Sequence, residues 1–236
     1  MITAEEKLMY QVMKAIYESG IPIDFKGSMV LKACLIEAGY DEEIRHTVDI
    51  DANWYSADPL TADQMVASLQ KVLDRNKIAL RVSIYRMYDE KRSAGFELAD
   101  NSSGEILFTM DIDVNRPTTS TKVYEIDSFH FRGVTPNQMI ADKVSAISSD
   151  RVFYRIKDVI DLYYLSKAFD FNCFEILKTL EDSSRVLGTF NGFLNRQEDL
   201  KHAYDKFRLA GDVNKPQFSE VYSSVRDYIK DILPKN

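Results

Sequence analysis

The sequence predicts an α+β protein: strands and helices together over residues 1–134, followed by an all-helical domain over residues 135–236. Three observations predict this. Up to Gly133, apolar residues recur alternately at helical spacing and at period two. Beyond Gly133 only helical spacing continues. The 45% hydrophobic content is ordinary for a globular protein that buries a real core.

In chain order, Leu8, Met9, Val12, Met13 and Ile16 mark a first helix over 4–18, which Gly20-Ile21-Pro22 ends. Ile23 to Lys26 is a short extended approach to Gly27-Ser28. Ser28 is positioned to cap a helix over 29–38, which Gly39 closes. Thr47–Trp54 alternates at period two, with Val48, Ile50, Ala52 and Trp54 packing. Thr47, Asp49, Asp51 and Asn53 form the polar side. Thr61 to Gln64 is a capping box that opens a further helix. Strands follow at Ile78–Ile84, Gly95–Ala99 and Glu105–Asn115, the last two joined through the turn Asn101-Ser102-Ser103-Gly104. In the last of these strands Ile106, Phe108, Met110, Ile112 and Val114 pack, while Asp111 and Asp113 face the other way. Thr121–Ile126 is a further strand, with a continuation toward His130. Thr135-Pro136-Asn137-Gln138 is a second capping box, with Pro at the first helical position. Helices are expected near 136–148, 154–168, 172–181, 196–209 and 216–233.

Composition narrows the function. A net charge of −7 argues against a general nucleic-acid binder. All the excess negative charge falls in residues 1–134, as a cation site or a solvated acidic face would have it. Cys34 and Cys173 lie far apart on apolar helical faces and are expected to be buried free thiols. The three histidines form no metal-ligand pair. No apolar run is long enough to span a membrane and the N-terminus shows no leader, so a cytoplasmic protein is expected.

The chemistry concentrates in Lys26–Asp51. Asp49-x-Asp51 on one strand puts two carboxylates side by side, and a third from a neighbouring strand would complete a nest for divalent cations. Two such ions, about 3.5–4 Å apart, can hold the attacking and leaving oxygens of a phosphoryl-type displacement. Gly27 lets backbone approach a phosphate, and a helix N-terminus offers free N–H groups to it. Each feature alone is common on ordinary surfaces. Their order, with a second Asp-x-Asp strand behind a hairpin, strengthens the pattern and leaves a solvated acidic face as the alternative.

Four motifs carry a resemblance. Lys26-Gly27-Ser28-x-x-Leu31, then Arg45-x-Thr47-x-Asp49-Ile50-Asp51, resemble the nucleotidyltransferase family of the AbiEii/AbiGii abortive-infection toxins. Met110-Asp111-Ile112-Asp113-Val114-Asn115 resembles that family's third-aspartate strand. Ala141-Asp142-Lys143-Val144-Ser145-Ala146 and Arg155-x-Lys157-Asp158-x-x-Asp161-Leu162 resemble its two helical motifs. The resemblance implies a polymerase-beta-like nucleotidyltransferase core, a mixed sheet with flanking helices, and an all-helical C-terminal domain. It implies metal-dependent transfer of NMP from an NTP to an acceptor, with loss of pyrophosphate. It also implies a toxin of a toxin–antitoxin or phage-defence system, with tRNA as an acceptor and a cognate antitoxin as partner.

By the same resemblance, Asp49, Asp51 and Asp113 bind Mg2+ or Mn2+, and Asp111 is the alternative third carboxylate. Gly27 and Ser28 hold a terminal phosphate, Lys143 meets the triphosphate, and Asp158 orients Lys143 or a nucleotide group. Asp161 and Arg155 are expected in structural ion pairs, Arg45 is expected to fix the approach to its strand, His46 to be structural, and Trp54 to pack. The departures from the family pattern are Met29-Val30 where small residues are usual, and Asp142 for a glutamate. No motif is matched beyond residue 166, where acceptor choice is expected to reside. Two alternatives stay open: a small-molecule nucleotidyltransferase, and a nucleotide-binding interaction protein that does not turn over.

Overall fold

The computed structural model describes residues 2–40, 46–88, 92–115, 120–209 and 214–234. Two compact units emerge. One comprises Met1–Cys34 and Thr47–Val134; the other comprises Leu35–His46 and Thr135–Asn236.

The first unit is built on a seven-stranded mixed sheet, in the order β3-β4-β5-β2-β1-β7-β6. Its strands are β1 (Ile23–Lys26), β2 (Asp49–Trp54), β3 (Leu80–Met87), β4 (Ala94–Asp100), β5 (Ile106–Asp113), β6 (Thr121–Ile126) and β7 (Phe129–Val134). β2 pairs in parallel with β5, and β1 with β7; the other pairs are antiparallel. The expected continuation of β6 toward His130 is instead a separate strand. Asp127, at φ 51°, reverses the chain, and β7 returns antiparallel with Ile126 opposite Phe129.

Helices α1 (Ala4–Ser19) and α3 (Ala62–Arg75) pack on the sheet, α1 against β7 and α3 against β3. Both open with a full capping box, Thr3 with Glu6 and Thr61 with Gln64. The core between α1 and the sheet is aromatic. Tyr10 stacks on Phe131 at 5.7 Å, and Phe25 meets Phe131 edge-on at 5.9 Å. Each such side chain contributes roughly 1.5–3 kcal/mol by leaving water. The Tyr10 hydroxyl donates to the Met29 carbonyl at 2.9 Å, tying α1 to α2 (Gly27–Glu37). Burial, and then the nearby Glu6 charge, push its pKa far up.

Several expectations need correction. α2 begins at Gly27, so Ser28 lies inside its first turn and does not cap it. Gly27, at φ 74°, turns the chain directly from β1 into the helix. Val48 precedes β2 and is 62% exposed, and Ile106, at the start of β5, is half exposed. Both were expected to pack, but Val48 precedes the paired residues of β2, and Ile106 lies beyond a register shift in the β4–β5 ladder. Cys34 is buried, while Cys173 is half-buried; neither forms a disulfide.

The second unit is helical: α4 (Pro136–Ser148), α5 (Ile156–Ala168), α6 (Cys173–Asp182), α7 (Asn191–Asn195), α8 (Gln197–Lys206) and α9 (Phe218–Tyr228). Thr135 caps α4 by accepting from the Gln138 amide, but the expected box is only half made. The Gln138 side chain donates to Asp142 at 3.2 Å. The short helix α7 was not expected; it follows Phe190 in the left-handed region, a conformation that side chains do not signal. No described helix is long and apolar enough to cross a membrane.

Candidate active site

Strand register assembles the first group of predicted residues. Across β1 and β2, Lys26 is paired with Asp51 and Asp24 with Asn53. Across β2 and β5, Asp49 is paired with Thr109, Asp51 with Asp111, and Asn53 with Asp113. Paired residues share a sheet face, so Lys26, Asp49, Asp51, Asn53, Asp111 and Asp113 all lie on one side. A cavity of about 370 Å³ opens there, lined by Lys26, Asp51, Asp111 and Asp113 together with Tyr88 and Ser93.

Asp51 lies against the Gly27 backbone. A Cβ added at Gly27 would stand 2.2 Å from Asp51 Oδ2, so no side chain fits there. The glycine that was expected to admit a phosphate thus also admits this carboxylate. Asp49 is held differently. Thr47 Oγ1 donates to Asp49 Oδ1 at 2.7 Å, and Ser28 Oγ lies 3.3 Å from the same oxygen. Ser28 and Thr47 are also hydrogen-bonded to each other. With the single Thr47 proton given to Asp49, Ser28 donates to Thr47. Both hydroxyls are buried.

Lys26 donates to Asn53 Oδ1 and stands 3.9 Å from Asp113 Oδ2. Asp113 Oδ1 accepts from the Asn115 amide at 2.9 Å. Asp111 is clamped by Arg86 Nη2 at 2.7 Å and by Tyr85 Oη at 3.2 Å. Desolvation, and then the Asp111 charge, raise the Tyr85 and Tyr88 pKa values above their ordinary range, so both stay neutral phenols. Desolvation works against the Arg86 charge, but the Asp111 hydrogen bond and charge outweigh it and lift that pKa. Lys26 and Asn53 were passed over as site residues, although both were readable from position: one precedes Gly27 and the other continues the Asp49-Asp51 alternation. Tyr85, Arg86 and Tyr88 gave no comparable signal.

The second group lies within the helical unit. Lys143 on α4 pairs with Asp161 at 2.6 Å and with Asp158 at 3.2 Å, both on α5. Arg155 pairs with Asp158 at 2.8 Å. The Asp161 side chain is fully buried and Lys143 nearly so. Arg45 lies outside the described residues.

The family described as "Nucleotidyl transferase AbiEii toxin, Type IV TA system" matches residues 16–224. The chain belongs to this family. It is therefore a nucleotidyltransferase of a toxin–antitoxin type, and an antitoxin is its implied partner. No curated protein matches the sequence. Among solved structures, this AbiEii-family chain is similar to MenT4, a nucleotidyltransferase toxin of Mycobacterium tuberculosis H37Rv. The TM-score is 0.56 at 12% identity, covering 97% of this chain and 83% of MenT4. The likeness shows a shared nucleotidyltransferase fold with its seven-stranded mixed sheet and C-terminal helices. An antigenic nucleotidyltransferase-like protein of Paracoccidioides brasiliensis aligns at a TM-score of 0.49 and 13% identity, covering 88% of this chain and 94% of that one.

The donor set suits a hard divalent cation, because every candidate ligand is a carboxylate oxygen. Asp51 and Asp113 line one cavity, and the bare backbone at Gly27 leaves the Asp51 carboxylate its place. Among the described residues no three such side chains converge into a closed metal cluster. Asp49 is turned to Thr47 and Ser28, and Asp113 to Asn115.

Proposed function

We propose that this AbiEii-family chain transfers NMP from an NTP to an acceptor hydroxyl, releasing pyrophosphate, with Mg2+ or Mn2+ held by Asp49, Asp51 and Asp113. One observation carries the reading: strand register brings Asp51, Asp111 and Asp113 to one sheet face, and all three line one cavity. Asp113 is assigned the third ligand position over Asp111, because Arg86 and Tyr85 already hold the Asp111 carboxylate. The ions would neutralise phosphate oxygens and lower the pKa of an acceptor hydroxyl. Lys26, facing Asp51 in register, offsets part of the carboxylate charge and keeps Asn53 in place. Thr47, itself held by Ser28, fixes Asp49 in one rotamer.

The first amides of α2 lack helical acceptors and suit a terminal phosphate, which keeps Gly27 and Ser28 as phosphate-binding candidates. Lys143 is assigned to the triphosphate and Asp158 to its orientation, on the strength of the motif resemblance and of their ion pair. The family's toxin character supports a cytoplasmic target, and we assign tRNA as that acceptor.

The decisive experiment incubates the protein with each labelled NTP, magnesium and total tRNA. Label is expected on RNA with wild type and not with Asp51→Asn or Asp49→Asn. Label that persists in both variants defeats the assigned site, and label on a small molecule instead of RNA moves the acceptor to that class.

A further inference from the structure

The mouth of the carboxylate cavity carries a second built feature. The register of β3 on β4 shifts between Ile84 and Arg86. In a regular strand Tyr85 and Arg86 would point to opposite faces. The bulge turns both onto one carboxylate, with Tyr85 Oη on Asp111 Oδ1 and Arg86 Nη2 on Asp111 Oδ2. Gly95, paired with Asp111, makes this possible. A Cβ at Gly95 would lie 2.4 Å from Tyr85 Cε1 and 2.6 Å from Asp111 Oδ1. The tyrosine ring thus occupies the space that any larger residue on β4 would take.

The Arg86 guanidinium then lies over two rings, 4.9 Å from the centroid of Tyr85 and 4.9 Å from that of Tyr88. None of the three packs into the core: Tyr85 is 38% exposed and Tyr88 43%. Tyr88 also lines the cavity alongside Lys26, Asp51 and Asp113. Core packing therefore does not account for a stacked Tyr-Arg-Tyr set at this position.

Stacked aromatic and guanidinium planes suit flat π-systems. Arg86 is already paired with Asp111, so the set offers a planar surface more than a phosphate clamp. We infer that Tyr88, backed by Arg86 and Tyr85, is a stacking platform for a nucleobase at the mouth of the carboxylate cavity. The inference rests on the nucleotidyltransferase reading. Two sources supply that chemistry: the base of the NTP, and the terminal base of an RNA acceptor.

The full chain is tested as wild type, Tyr88→Ala and Tyr88→Phe. Fluorescence anisotropy measures binding of a labelled single-stranded RNA and of a ribose-labelled NTP, and initial rates give both Michaelis constants. Tyr88→Ala is expected to weaken one of the two ligands by about tenfold, and Tyr88→Phe to restore it to within about twofold, since the ring and not the hydroxyl stacks. Loss confined to NTP assigns the platform to the incoming nucleotide; loss confined to RNA assigns it to the acceptor. Unchanged binding of both ligands by Tyr88→Ala overturns the platform and leaves the transfer reading standing. Loss on Tyr88→Ala without any transfer product from wild type supports the platform and overturns the transfer reading. A wild type that binds neither ligand overturns both.

Discussion

Asp51 rests its carboxylate on the backbone of Gly27, where a single added Cβ would come within 2.2 Å of Oδ2. Gly27 also holds a φ of 74°, which L side chains rarely adopt. Gly27→Ala therefore meets two penalties at once. The backbone strain costs about 1–3 kcal/mol in stability. The displaced Asp51 is expected to lower nucleotidyl transfer further, by about a hundredfold, as misplacement of a reacting group does. Thermal unfolding and initial rates on the same preparation check both. A variant as active as wild type would show that Asp51 need not sit where it is seen.

Lys32 and Glu6 form an ion pair at 2.6 Å with both side chains buried. Glu6 also closes the capping box of α1, so one carboxylate joins two helices. Lys32→Met removes the cation and leaves the carboxylate in the interior, a loss expected at about 3–5 kcal/mol. Adding Glu6→Gln removes the charge left behind and should recover part of that loss. Denaturant unfolding of the single and double variants measures it, and equal stability of the two would rule out charge burial as the cause.

Asp100 sets the β4–β5 turn, accepting hydrogen bonds from the Ser102 and Ser103 hydroxyls and from both their amides. The Ser102 hydroxyl first, and then the Ser103 amide, lower its pKa from the ordinary 3.8 to about 2. A depressed folded-state pKa means that the turn gains stability above pH 3.8 and loses it as pH falls through about 2. NMR titration of the Asp100 carboxyl carbon should give a midpoint near 2, and Ser102→Ala should move it up toward 3.8. An unperturbed midpoint in wild type would contradict the turn geometry.

The alternation of Asp49, Ile50 and Asp51 was legible because period two is a local property of a strand. The pairing of Asn53 with Asp113 was not, because β2 and β5 are distant in sequence and meet in parallel. The order of the four motifs carried the family across that gap. The roles of Ser28 and Thr47 were hidden for the same reason: their hydroxyls meet across residues 29–46 to hold Asp49. The bulge that brings Tyr85 and Arg86 onto one carboxylate leaves the apolar pattern of β3 almost unchanged. The capping residues Thr61 and Thr135, by contrast, act within three residues of themselves and were plain.

Lys143 ties two carboxylates of one helix, Asp161 at 2.6 Å and Asp158 at 3.2 Å. Its assigned work on the triphosphate and its work in the fold can be separated. Lys143→Met leaves Asp158 and Asp161 without this shared cation, and the buried Asp161 makes the loss expensive, about 3–5 kcal/mol. Lys143→Met with Asp161→Asn removes the buried charge and should restore much of the stability, as a neutral amide can stay in the interior. If Lys143 also serves the phosphates, the double variant is folded yet remains at least about a hundredfold slower than wild type, in keeping with loss of a charged phosphate contact. Denaturant midpoints and initial rates across NTP concentrations decide it. A double variant that recovers activity in step with stability would assign Lys143 to the fold alone.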